Sequence, residues 1–375
     1  MVSLSDFKSI VIKIGSALLV NEDNGAINKD WLQSVAADIA ELTRSGHNVL
    51  IVSSGAIALG RTRLGLNHNT LTLAQKQACA ATGQALLTQA YEQVLAPHGL
   101  ITAQALLTLN DTEDRRRWIN AKETLITLLK LGTVPIINEN DTVATDEIRY
   151  GDNDRLAARV AQMVGADVLV LLSDVDGLYD QDPRTHKGAK FISEIYELTP
   201  EIMAMGGNAN QLRGTGSGGM ATKLHAAQIA TRAGCTLVIT KGDDPHPLSA
   251  LSHADTPKRA SWFYAATNSQ TARKLWIESS LKPKGVIHID VGAARALQNG
   301  KSLLAAGVVR IEGEFDKGDA VRICTEQGEE CGRGLAGFSA PDCQLIKGLK
   351  SDEIERILGY GGGSAFIHRD NLVLG

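Results

Sequence analysis

The chain has 375 residues, 43% apolar and 4% aromatic, with 38 basic against 42 acidic side chains and a net charge of −4. This balance describes a globular protein with an aliphatic core and favours no polyanionic partner. No stretch reaches the roughly 18 apolar residues that span a membrane. The five cysteines form no CxxC pair, so a disulfide or zinc framework is not expected either.

At roughly 100–200 residues per domain, two domains are the natural expectation. Residues 1–13 are interrupted by Lys8 and Lys13 and lack a signal peptide's apolar stretch, so a cytoplasmic location is expected. The nine histidines show neither HExxH nor HxH spacing, and no protein metal site is expected.

In chain order, short β-branched and Leu-rich runs predict strands over 9–14, 48–53, 101–107, 134–138, 168–173 and 237–240. Helical patterns fall between them, over 29–45, 71–96, 115–131, 154–164 and 222–233. The run from Val168 to Leu172 is continuously apolar, as in a strand buried on both faces. Such alternation predicts an α/β fold, a mostly parallel open sheet with helices on both sides. Residues 1–255 are read as that domain and 256–283 as a connector. The stretch 256–282 is locally basic, five Lys/Arg against one acid. Residues 284–375 are read as a small β-rich module in which helices nearly vanish.

Ligands of open α/β sheets bind on loops after the carboxyl ends of the strands. After the first strand stand Lys13, Gly15 and Ser16, an ammonium beside a close-approach glycine, suited to phosphate; a solvated lysine is the competing reading. After the second comes Ser53-Ser54-Gly55-Ala56, an anion-binding turn or an ordinary helix cap. After the fourth come Asn138-Glu139-Asn140-Asp141 and then Gly151-Asp152-Asn153-Asp154, more polar groups than capping requires and suited to an amino acid zwitterion. Ser173 and Asp174 end the fifth strand, placed for ribose or a metal-phosphate group. Finally Gly214-Thr215-Gly216-Ser217-Gly218-Gly219-Met220-Ala221-Thr222-Lys223 runs into a helix as a phosphate cradle; a flexible linker is the alternative. Neither Walker A spacing nor a dinucleotide-binding context is present.

These loops, in this order, resemble the amino acid kinase family, and within it the glutamate 5-kinase branch. The motifs are VIKIGS (11–16), VSSGAIALG (52–60), PIINENDTVAT (135–145), GDND (151–154), LLSDVDGLYDQDPR (171–184) and GSGGMATK (216–223). The resemblance implies phosphoryl transfer from ATP, with Mg²⁺, to the side-chain carboxylate of L-glutamate, giving L-glutamyl 5-phosphate, the first step of proline biosynthesis. It implies that Lys13 and Lys223 contact the transferring phosphoryl group, and that Ser54, Asp141 and Asn153 hold glutamate. The resemblance implies further that Ser173 and Asp174, with Ser217, Gly218, Gly219, Met220, Ala221, Thr222 and Lys223, hold ATP, and that Asp152 and Asp154 sit beside the substrate, Asp154 orienting a catalytic lysine. Proline as feedback inhibitor, a glutamate-5-semialdehyde dehydrogenase receiving the acyl phosphate, and a homo-oligomer (dimer or tetramer) are implied too. Ala17 departs from the family's usual hydroxyl, and Ser173 and Ser217 stand where threonine is common.

Residues 285–374 resemble a PUA domain, through 313–323 and the closing Gly359-Tyr360 and His368-Arg369-Asp370. PUA domains elsewhere bind RNA. Here 284–375 carries 11 basic and 13 acidic residues, and RNA binding is not expected. The competing readings are another kinase of the same fold, acting on aspartate, N-acetylglutamate or UMP, or an RNA-binding regulator with a degenerate kinase domain. The NEND and GDND motifs argue against the former, and the intact Lys13, Asp174 and Lys223 against the latter.

Overall fold

The computed structural model of the chain describes residues 2–21, 24–66, 70–143, 152–207, 219–252, 258–280, 282–359 and 365–374. The chain divides into two units, Met1–Glu113 with Asn120–Ser269, and Asp114–Ile119 with Gln270–Gly375.

The first unit is built on an eight-stranded sheet. Its strands are β1 (Ser9–Ile14), β2 (Asn48–Ser53), β3 (Ile101–Leu107), β4 (Thr133–Glu139), β5 (Val168–Ser173), β8 (Glu194–Ile195), β9 (Thr236–Lys241) and β10 (Ala260–Phe263), while β6 (Leu178–Tyr179) and β7 (Phe191–Ile192) form a separate pair. The order across the sheet is β3-β4-β2-β1-β5-β9-β10-β8. Every pairing is parallel except β9 with β10. The predicted mostly parallel α/β architecture is therefore the observed one. Residues 260–263 lie in the stretch read as a connector, and they form β10 of this sheet.

β1 and β5 are buried nearly throughout, because helices cover both faces of the sheet. The helices are α1 (Ser16–Leu19), α2 (Lys29–Arg44), α3 (Ala56–Arg63), α4 (Leu73–Leu95), α5 (Leu109–Glu113), α6 (Arg115–Lys130), α7 (Asp152–Val164), α8 (Pro200–Ala204), α9 (Met220–Arg232) and α10 (Ser249–Ser252). A capping box between Thr72 and Gln75 starts α4. Gly60 of α3 and Gly83 of α4 let these helices touch backbone to backbone. A Cβ at Gly83 would lie 1.7 Å from Ala56 O, and one at Gly60 would lie 1.8 Å from Cys79 O.

Strand register aligns the carboxyl ends. Ile14 pairs with Ser53 on one side and Leu172 on the other. Lys13, Ser53, Ser54 and Ser173 therefore share one edge of the sheet.

In the second unit, β11 (Gly285–Ile289), β13 (Val308–Gly313), β14 (Ala320–Thr325), β15 (Glu330–Leu335) and β17 (Leu372–Leu374) form a mixed sheet ordered β13-β11-β14-β15-β17. β12 (Leu303–Leu304) pairs with β16 (Ala365–Ile367). The core includes Ile287, Ile323, Phe338, Cys343 and Phe366. The expectation that helices nearly vanish after residue 284 is corrected. Following α11 (Ser269–Ser280) come α12 (Val291–Gln298), α13 (Ala340–Ile346) and α14 (Ser351–Leu358). Each of these three spans about two turns, too short for helical periodicity to stand out from the glycine-rich background. Their start signals were present in Asp290 and Ser339, which cap α12 and α13. Among the described residues no helix is long and apolar enough to cross a membrane.

Candidate active site

Helix α7 begins at the carboxyl edge of the sheet, and two consecutive residues in its first turn organise the site. Asp154 is fully buried and takes two ammoniums: Lys13 Nζ lies 2.6 Å from Oδ1 and Lys223 Nζ 3.1 Å from Oδ2. Lys13 comes from the end of β1 and Lys223 from the first turn of α9. Thr222 Oγ1 donates to Gly219 O at 2.8 Å and lies 3.3 Å from Asp154 Oδ2. Burial pushes the Asp154 carboxyl up, but the Lys13 and Lys223 ammoniums outweigh it and hold the group below the usual carboxylate range.

Asn153 turns toward β2. Its Nδ2 donates to Ser54 Oγ at 2.6 Å and to Asn138 Oδ1 at 3.1 Å. Gly55, at φ +113°, makes the turn from Ser54 into α3, a backbone conformation that favours glycine. Behind Ser54, Ser53 Oγ and the buried Tyr91 hydroxyl are 2.8 Å apart.

The structure thus brings Lys13, Asp154, Thr222 and Lys223 into one cluster and Ser54 and Asn153 into a second, joined through neighbouring residues of α7. Ser173 Oγ donates to Asp174 Oδ1 at 2.9 Å, where the chain leaves β5, with Ser173 buried and Asp174 exposed. Asp141 lies in the turn after β4. Gly219 caps α9 with no side-chain hydrogen bond, and Met220 and Ala221 open the helix. Ser217 and Gly218 lie outside the described residues, as does the Asp152 side chain, although Asp152 is the first residue of α7. Gln84 was missed by the sequence reading. Its Oε1 accepts from Asn138 Nδ2 at 2.8 Å. Gln84 is one of five glutamines in α4, and nothing in the sequence sets it apart from the others.

Two buried ammoniums share one carboxylate here, beside a helix N-terminus with no side-chain cap. That environment fits the phosphates of a nucleotide. Among the described residues no group of three His, Cys, Asp or Glu could hold a metal ion.

Residues 8–241 match the model of the amino acid kinase family, and residues 285–358 that of the PUA domain. The chain is 54% identical over 367 residues to a glutamate 5-kinase of Caulobacter vibrioides, covering 98% of this chain and 96% of that one. It is 53% identical over 374 residues to the glutamate 5-kinase of Paramagnetospirillum magneticum, covering 100% of both. It is 54% identical over 372 residues to that of Agrobacterium fabrum, covering 99% and 94%. With likeness of this degree running from end to end, the chain belongs to the amino acid kinase family, in its glutamate 5-kinase branch, and carries a PUA domain at its C-terminal end.

Proposed function

We propose that this chain transfers the γ-phosphoryl group of ATP to the side-chain carboxylate of L-glutamate, giving L-glutamyl 5-phosphate at the start of proline biosynthesis. The observation that carries this reading is the pair of buried ammoniums, Lys13 and Lys223, sharing Asp154. The glutamate side chain has a reference pKa near 4.3, so at neutral pH it is already a nucleophile and needs no general base. One carboxylate oxygen attacks the γ-phosphorus, the bond to the β-phosphate oxygen breaks, and ADP leaves with the electron pair.

The chemical obstacle is repulsion between a carboxylate and an anionic phosphoryl group. Lys13 and Lys223 reduce it by neutralising the charge spread over the transferring oxygens. Asp154 holds both ammoniums on the same point without accepting a proton, since its carboxyl is held below the usual range. Bound Mg²⁺ would supply further charge neutralisation across the nucleotide phosphates. Ser173, Asp174 and the loop from Ser217 through Gly218, Gly219, Met220, Ala221 and Thr222 to Lys223 hold ATP. Ser54, Asp141, Asn153 and Asp152 hold glutamate. Proline competes near the glutamate subsite, the protein acts in the cytoplasm as a dimer or tetramer, and a glutamate-5-semialdehyde dehydrogenase consumes the labile product. Residues 284–375, with 11 basic against 13 acidic side chains, serve structure or regulation rather than RNA.

An acyl-phosphate trap tests the reading. The protein is incubated with ATP, Mg²⁺ and hydroxylamine, with glutamate, aspartate or N-acetylglutamate offered separately. Hydroxamate from glutamate alone is the expected result. Hydroxamate from another acid instead keeps the chemistry but removes the assigned substrate.

A further inference from the structure

Deepening that reading and resting on it, we propose that Gln84, on α4, is a positioning residue for the amino acid substrate. Acting through Asn138, it holds the Asn153 amide in the orientation that presents a free hydroxyl hydrogen on Ser54 and a free carbonyl oxygen on Asn153.

The polarity of the network is set by one group that can only donate. The backbone N–H of Glu139 lies 2.8 Å from Asn138 Oδ1, so that oxygen is an acceptor and Nδ2 is the other end of the amide. Asn138 is buried, and its Nδ2 donates to Gln84 Oε1 at 2.8 Å. Gln84 is buried as well, and its Nε2 lies 3.5 Å from Thr88 Oγ1. Because Asn138 Oδ1 is an acceptor, the Asn153 atom 3.1 Å away is Nδ2. The same Nδ2 donates to Ser54 Oγ at 2.6 Å, which makes the serine oxygen the acceptor there. Nδ2 also lies 3.5 Å from Ser53 O.

Two groups are then left over. The Ser54 hydroxyl hydrogen has no described acceptor, and Asn153 Oδ1 is buried with no hydrogen-bond partner among the described residues. A free donor beside a free acceptor complements the carboxylate and ammonium of an amino acid. If the amides of Asn138 and Asn153 turned over, the serine would donate to Asn153 Oδ1 and the presented pair would be lost. The Glu139 N–H opposes that turnover from one end of the Asn138 amide and Gln84 Oε1 from the other.

The test uses the full-length protein and the hydroxamate assay, with glutamate and ATP varied separately. Gln84→Met removes the acceptor at nearly constant volume, Gln84→Leu is a second variant of the same kind, and Gln84→Glu keeps an acceptor oxygen whether or not it is protonated. The expected result is a KM for glutamate raised about five- to tenfold in Gln84→Met, the equivalent of about one hydrogen bond. The KM for ATP stays within about twofold, and Gln84→Glu restores the glutamate KM. Wild-type turnover on glutamate with an unmoved glutamate KM in a folded Met or Leu variant overturns this inference alone. So does a joint rise of both KM values, or a folded Glu variant that fails to restore. No glutamate turnover by the wild-type protein overturns the kinase reading, and this inference with it.

Discussion

The Lys13 ammonium lies 2.6 Å from Asp154 Oδ1, in an ion pair whose side chains are 8% and 0% exposed. Lys223 takes the other carboxylate oxygen at 3.1 Å. A buried charge cluster is weak evidence for stability, because desolvation offsets most of the Coulomb attraction and apolar residues of similar volume are often as stable. Its placement at the carboxyl edge of β1, where this fold class binds ligands, gives it a functional reason instead.

Lys223→Ala is therefore expected to lower turnover by about 10²–10³-fold, the loss typical of one preorganised charge-stabilising donor. The fall should appear in kcat more than in the KM for glutamate, since Ser54 and Asn153 are untouched. A folded variant retaining more than about a third of wild-type turnover removes Lys223 from the chemistry.

Asp154→Asn has a different signature. It removes the carboxylate that two buried ammoniums share, and breaking such a cluster costs about 3–5 kcal/mol of stability. Thermal denaturation should show a large drop for the variant without nucleotide. Added ATP should recover more stability in the variant than in wild type, because the phosphates supply the missing negative charge. Equal nucleotide stabilisation of both proteins would separate this cluster from the phosphate site.

Strands β1, β2 and β5 lie within the predicted bounds, because buried parallel strands are short apolar runs whose ends are marked by polar or glycine residues. The loops after them could be read as ligand-binding for the same reason. What joins those loops was not legible. Asn138 stood inside a motif, but its bond to Gln84, 54 positions earlier, depends on how α4 lies along the sheet. Likewise α3 was missed: its glycine contact with α4 interrupts the apolar stripe that identifies a helix, since backbone atoms fill the place of side chains there. Lys13 and Lys223 could be read against phosphate from their loops and Asp154 only through the family resemblance, and their shared ion pair became visible only with the strands and helices in place.

Gly83→Ala tests the α3–α4 contact. Helix propensity favours alanine over glycine by up to about 1 kcal/mol. The added Cβ, however, would sit 1.7 Å from Ala56 O and 2.6 Å from Gly60 N, far inside contact distance and against backbone that cannot swing aside. Overpacking of this kind typically costs about 1–3 kcal/mol, so steric strain should win and the melting temperature should fall. Ala56 is the first residue of α3 and directly follows the Ser54-Gly55 turn. The same substitution should therefore also raise the KM for glutamate, while Gly→Ala at the open Gly188 does neither.

The acid limb of stability should carry the mark of Asp154. Burial raises its carboxyl, and Lys13 and Lys223 lower it by more, so the net direction is down. A carboxyl lowered by folding contributes stability that is fully present above its unfolded pKa of about 3.9, and loses it as pH falls through the lower folded value. Urea denaturation of wild type and Asp154→Asn, measured at about pH 6, 5, 4 and 3, reads this directly. The difference in unfolding free energy between the two proteins should be constant at the higher two values and shrink below about pH 4. Were burial the stronger influence, the carboxyl would be raised in the folded state, and the difference would instead change at pH values above 4.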